Sequence, residues 1–98
     1  MEKYLNTNLS AEERASDLLS KMSLEERMAQ VNCVLLPGGK EDNISEYCKY
    51  GIGEISTLEV RMLKTAKEAA EFQRKIQMTV MENSPHHIPA IFHMEGLC

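Results

Sequence analysis

The sequence predicts an α/β fold: two leading helices followed by a parallel strand–helix–strand unit. Three observations carry this. Ser10–Glu13, Ser23–Glu26 and Thr65–Glu68 each place a hydroxyl three residues before a glutamate, the signature of a helix start in which side chain and backbone satisfy each other. Two short runs containing β-branched residues, Gly51–Thr57 and Ile88–Phe92, lie on either side of the third helix. The connection between them is roughly 30 residues, too long for a hairpin and right for a parallel crossover, which is right-handed in nearly all cases.

The first helix carries Leu18, Leu19 and Met22 at helical spacing, and the second restarts at Leu24 with Met28 and Val31 continuing an apolar stripe. Both have acidic first turns, which suits the positive end of the helix dipole. Val31–Leu36 is apolar and ends at the turn signal Pro37-Gly38-Gly39, so it reads as irregular or a short extended piece. Lys40–Tyr50 is polar, with a helical turn at Ile44–Cys48 or a surface loop as its two readings. Gly51 and Gly53 in the first strand allow close backbone approach. The long helix runs from Ala66 to Glu82 with Ala69, Phe72, Ile76 and Val80 on one stripe. Asn83 is its expected C-cap, and Pro85 forbids continuation. Met28, Met62, Met78 and Met81 read as core filler. Residues 1–50 thus form leading helices and a loop, and residues 51–98 the strand–helix–strand unit, within one domain over 1–98.

With 98 residues, 43% of them hydrophobic and 27% charged, the chain has the composition of a globular domain. Its net charge of −4 and scattered Lys and Arg exclude a nucleic-acid groove, which needs a concentrated basic face. No apolar run is long enough to span a bilayer. The start lacks a charged region followed by an apolar core, so the cytoplasm is the default address. Cys33, Cys48 and Cys98 are widely spaced and read as free thiols. His86 and His87 are adjacent, but no third ligand stands at a known spacing, so no metal and no cofactor is expected.

The chemistry concentrates in the last eleven residues. Ile88–Phe92 runs straight into His93 and Glu95, and a carboxylate at the carboxyl end of a strand is where α/β folds bind ligands. The bland alternative is a solvent-exposed glutamate. His93 precedes Glu95 by two and shares its strand face if the backbone stays extended; it is either a contact to the same ligand or a packed or solvent-facing histidine.

Five segments, in order, resemble glycoside hydrolase family 3 enzymes. They are Tyr4-Leu-Asn-Thr-Asn-Leu-Ser-Ala-Glu-Glu-Arg14; Asp17-Leu-Leu-Ser-Lys-Met-Ser-Leu-Glu-Glu-Arg-Met-Ala-Gln30, similar to D-L-L-x-x-M-T-L-E-E-K-x-x-Q; Gly51-Ile-Gly-Glu54, similar to the first barrel strand; Ala69-Ala-Glu-Phe-Gln-Arg-Lys-Ile-Gln77; and Ile88–Cys98, similar to I-P-x-x-F-x-x-D/E-x-x-H-G. Only Leu35–Tyr47 falls outside the match. The resemblance implies the first part of a (β/α)8 TIM-like barrel. It also implies exo-acting hydrolysis of terminal β-linked glucosyl or xylosyl residues with retention, which needs two carboxyl groups about 5–5.5 Å apart. Both catalytic carboxylates belong to later parts of the family's sequence, so no catalytic residue is expected in this chain and 98 residues alone should be inactive.

The resemblance further implies that Glu95 grips sugar hydroxyls of an oligosaccharide or aryl glycoside, with His93 beside it. Glutamate here, where many β-glucosidases have aspartate, suggests a pentoside. Cys98 replaces the family's histidine, so that position's role does not carry over. With its strand edges unpaired and its apolar faces wet, an isolated chain of this kind is expected to fold poorly or self-associate. The competing reading is a small helix-rich interaction module. The stop at Cys98 directly after a site-like segment favours a truncated enzyme over it, and an open reading frame beyond Cys98 would settle the choice.

Overall fold

A computed structural model describes residues 1–35, 44–56 and 65–93. A single 3-10 turn at Lys3–Leu5 precedes helices α1 (Ala11–Lys21) and α2 (Leu24–Gln30). Then follow strand β1 (Cys33–Leu35), the one-turn helix α3 (Ile44–Tyr47), β2 (Glu54–Ser56), the long helix α4 (Ala66–Asn83), a 3-10 turn at Pro85–His87, and β3 (Ile91–His93).

Both leading helices start where the sequence places them, and both capping boxes are complete. Ser10 Oγ accepts from the Glu13 N–H at 3.2 Å, while Glu13 Oε2 accepts from the Ser10 N–H at 2.9 Å. These bonds to the Ser10 backbone and hydroxyl hold the Glu13 carboxyl below its ordinary range. Ser23 and Glu26 repeat the exchange at 3.1 and 3.2 Å. The opening 3-10 turn is fastened to α1 twice: the Tyr4 N–H donates to Asp17 at 3.0 Å, and Arg14 Nε donates to the Tyr4 carbonyl at 2.9 Å. Lys21 bonds the same Asp17 carboxylate at 2.6 Å and also pairs with Glu2. Neither helix buries a residue fully. Leu24, Met28 and Val31 stand exposed, which corrects the reading of Met28 as core filler; Met78 and Met81 on α4 are exposed as well and correct that reading too. Among the described residues no element covers those faces. Met62 lies outside the described residues.

The sheet is parallel in the order β1–β2–β3. The expected pairing of the second and third of these is observed, with Glu54 opposite Ile91, Ile55 opposite Phe92 and Ser56 opposite His93. The correction is β1. Cys33–Leu35 is a true strand paired with β2, so the strand that follows Gly53 is the second and central one rather than the first. Strand β3 begins at Ile91 rather than Ile88 for a specific reason. The Gln77 side-chain amide donates to the Ala90 carbonyl at 2.8 Å and accepts from the Ala90 N–H at 2.9 Å. Both backbone groups of Ala90 are thereby used, and the ladder starts one residue later, with the Ile91 N–H donating to the Gly53 carbonyl at 2.9 Å.

One face of the sheet holds the core. Val34, Ile55 and Phe92 alternate onto it and meet Phe72, Ile76 and Val80 of α4. Ile44 of α3 and Cys48 just after it complete the same cluster, fully buried, so the helical turn is the reading that holds for the described residues of this segment. Ile55, Ile76 and Val80 each contribute about 1.5–3 kcal/mol by leaving water. Helix α4 has the expected start, with Thr65 Oγ1 accepting from the Glu68 N–H at 3.1 Å. It runs one residue further than expected; Asn83 is its last residue, and Ser84 takes the cap position with its N–H on the Val80 carbonyl. His86 and His87 both adopt left-handed backbone, φ 61° and 55°, in the turn that follows. They serve as fasteners. His86 Nε2 donates to Glu26 Oε2 at 3.0 Å and its ring lies edge-on to Tyr4, while His87 Nδ1 donates to the Met81 carbonyl at 2.7 Å. The Glu26 carboxylate thus caps α2 and clips it to the far end of α4.

The end of α2 also meets β2 backbone to backbone. The Gly53 N–H donates to the Ala29 carbonyl at 3.0 Å, and a Cβ on Gly53 would stand 1.9 Å from the Gln30 carbonyl oxygen. Gly53→Ala should therefore lose about 3 kcal/mol of stability, the upper end of overpacking costs, because backbone rather than a flexible side chain must move. Urea unfolding checks it; an unchanged midpoint would mean that α2 does not dock on β2. Gln77→Leu should cost about 1–3 kcal/mol in the same experiment, since it strands the Ala90 N–H and carbonyl, and Gln77→Glu should lose the donor half only.

Candidate functional site

The second face of the sheet is open. Cys33, Leu35, Glu54, Ser56, Ile91 and His93 alternate onto it, and Leu35 and Ile91 are more than half exposed. On this face three polar side chains converge, Cys33 and Glu54 from the first rung of the ladder and His93 from the last. Cys33 stands directly opposite Glu54 in the register, and His93 lies two positions beyond Ile91, which also stands opposite Glu54. The His93 ring spans the intervening distance: its Nε2 is 3.2 Å from Cys33 Sγ and 3.8 Å from Glu54 Oε2. The three ligating atoms all lie within 4.8 Å of one another.

The geometry decides between two kinds of chemistry. In a nucleophilic thiol–imidazole–carboxylate triad the acid orients the ring from the nitrogen remote from the thiol. Here thiol and carboxylate both face the same nitrogen, Nε2, so Glu54 is not placed as an orienting third member. The atoms form a convergent set rather than a relay.

Of the two residues the sequence singles out, His93 belongs to this cluster, with Cys33 and Glu54 as its neighbours. Glu95 lies outside the described residues, as does Cys98. Sequence reading misses Cys33 and Glu54. The signal for Glu54 is present, an acidic residue directly after Gly53 in a strand, but Cys33 acquires meaning only once β1 is known to pair with β2. Of the remaining cysteines, Cys48 is buried on the opposite side of the sheet, with its thiol on the Ile44 carbonyl at 3.1 Å. Burial pushes that thiol above its ordinary value. Among the described residues no helix is long and apolar enough to cross a membrane.

No protein-family model matches the chain. The chain is similar to a protein of Formosa agariphila named "Putative beta-xylosidase", at 36% identity over 103 residues. The match covers 95% of this chain and 13% of that relative, so the chain spans only a small part of the relative's length. Similarity to a glycosidase-like protein therefore extends over nearly all of these residues.

The two described thiols should react differently. Iodoacetamide at pH 8 should modify Cys33, which is exposed, while Cys48 should be alkylated only on unfolding, because it is both inaccessible and held protonated by burial. Peptide mapping before and after denaturation reads this directly. Equal labelling of Cys33 and Cys48 in the native chain would contradict the placement of α3 in the core.

Proposed function

We propose that this chain forms the opening units of a (β/α)8 glycoside hydrolase barrel of the family 3 type. The enzyme so built hydrolyses terminal β-linked xylosyl or glucosyl residues with retention. The observation that carries this reading is the 36% identity, over 95% of the chain, to a protein named for β-xylosidase activity. The architecture supports it. Each strand is added on the same side of the last, and both crossover helices pack on one face. That is how a barrel grows, with helices outside and the other face of the sheet turned inward. A doubly wound sheet would instead cover both faces and favour apolar residues on each; here the uncovered face carries Cys33, Glu54 and His93.

On this reading Glu95 follows β3 at the carboxyl end of the sheet. There its carboxylate accepts hydrogen bonds from two sugar hydroxyls, with His93 at the edge of the same subsite. The retaining nucleophile and the acid/base residue are supplied by later β/α units. Those units also cover the outer edges of β1 and β3, the exposed side chains of α1 and α2, and the groove lined by Ala70, Gln73, Arg74, Gln77, Met78 and Phe92. Without them the chain self-associates through these faces. The extra methylene of Glu95 relative to aspartate fills space that a hexose C6 group would take, which favours a pentoside.

The test is a chimera in which this chain replaces the matched segment of the Formosa protein. It should hydrolyse p-nitrophenyl β-D-xyloside faster than the glucoside, and the 98-residue chain alone should hydrolyse neither. Glu95→Ala in the chimera should lower kcat/KM by about 100-fold, the equivalent of two charge-assisted hydrogen bonds. A folded chimera that is inactive while the parent is active, or a Glu95→Ala variant as active as its parent, would overturn the proposal.

A further inference from the structure

We propose that Cys33, Glu54 and His93 form a three-residue site for a divalent transition-metal ion, with zinc as the best fit. The inference stands on the sheet geometry and does not depend on the glycosidase reading. Thiolate, imidazole and carboxylate are together a zinc-type donor set, and three protein ligands with one open position describe a site that keeps a bound water. A tetrahedral ion with bonds of about 2.3 Å to sulfur and about 2.0–2.1 Å to nitrogen and oxygen sets its ligands about 3.6 Å (S to N) and about 3.3 Å (N to O) apart. Two of the three separations, 3.2 Å from Cys33 Sγ to His93 Nε2 and 3.8 Å from His93 Nε2 to Glu54 Oε2, differ from those values by half an ångström or less, and the third pair lies within 4.8 Å, so the Cys33 and Glu54 side chains would draw together on the ion.

The three residues come from three different strands, at positions fixed by the ladder rather than by loops. Their backbones are therefore pre-set, and only exposed side chains need adjust. The ion would enter from the open face, and binding would release the Cys33 thiol proton while the His93 Nε2 lone pair and a Glu54 oxygen complete the coordination. An ion there also ties β1 to β3 across β2, so it stabilises the strand order itself.

The experiment is titration of the full chain with Co²⁺ alone, followed by optical absorption, with Zn²⁺ added afterwards as competitor. One equivalent should produce a near-ultraviolet thiolate-to-cobalt band together with the visible bands of a four-coordinate ion, and Zn²⁺ should erase both. Cys33→Ser should abolish the ultraviolet band, whereas Cys98→Ser should leave it intact. His93→Gln and Glu54→Gln should each weaken binding by about tenfold or more. Zn²⁺ should also raise the thermal midpoint of the parent chain and not that of Cys33→Ser, since a ligand that binds only the folded state stabilises it. The proposal is overturned if no thiolate band appears or if the band survives Cys33→Ser. Equal affinity in the parent, His93→Gln and Glu54→Gln would likewise overturn it, as the mark of adventitious binding by an unstructured thiol.

Discussion

Everything in the arrangement turns on the missing side chain of Gly53. Its N–H is taken by the Ala29 carbonyl at the end of α2, its carbonyl by the Ile91 N–H at the start of β3, and the space of a Cβ by the Gln30 carbonyl. Three segments far apart in sequence thus meet at one residue. The next residue extends the junction, since the Glu54 N–H donates to the Asn32 carbonyl just before β1. A larger residue at position 53 would push α2 away from the strand and loosen the lead-in to β1 at the same time. Parallel strands have no hairpin to set their register; here the register is set by this crossing of backbones and by the Gln77 clamp on Ala90.

The register in turn divides the sheet into two unlike faces. Val34, Ile55 and Phe92 go to the helix-covered side, and Cys33, Glu54 and His93 go to the open side. A slip of one residue would exchange the two sets, placing Glu54 against Ile76 and Val80. Burial of Ile55 therefore does two things. It supplies packing energy on one face, and it fixes which polar groups appear together on the other. The chemistry of the open face is a consequence of the core rather than a separate feature.

What could be read from the sequence follows from range. The capping boxes at Ser10 and Ser23 are three-residue devices and form as written. The Ala69–Phe72–Ile76–Val80 stripe is periodic and turns to the core as its spacing implies, with Ile76 and Val80 fully buried and Ala69 and Phe72 partly so. Strand β1 was legible only as one of two readings of Val31–Leu36, a short extended piece; its pairing with Glu54–Ser56 was not, because Cys33-Val34-Leu35 has no alternation or length to mark it. The exposure of Met28 and Met78 was equally hidden, since apolar spacing tells which face of a helix seeks cover but not whether a neighbour supplies it. The pair His86 and His87 invited thoughts of metal by adjacency, yet each fastens a helix end. The residues that do converge, at positions 33, 54 and 93, share no sequence spacing at all and are brought together by the strand order. Glu95, the residue the motif most strongly marks, lies outside the described residues.

The most direct test of the strand order is a nuclear Overhauser experiment on the isotopically labelled chain. The parallel arrangement requires contacts from the Ile91 amide proton to the Gly53 α protons and from the Glu54 amide proton to the Asn32 α proton. The Ile91 and Glu54 amides should also exchange slowly with solvent. Short α–α contacts between these segments, the signature of antiparallel pairing, or rapid exchange at both amides would contradict it. The two-faced sheet, and every functional reading built on it, would then fall.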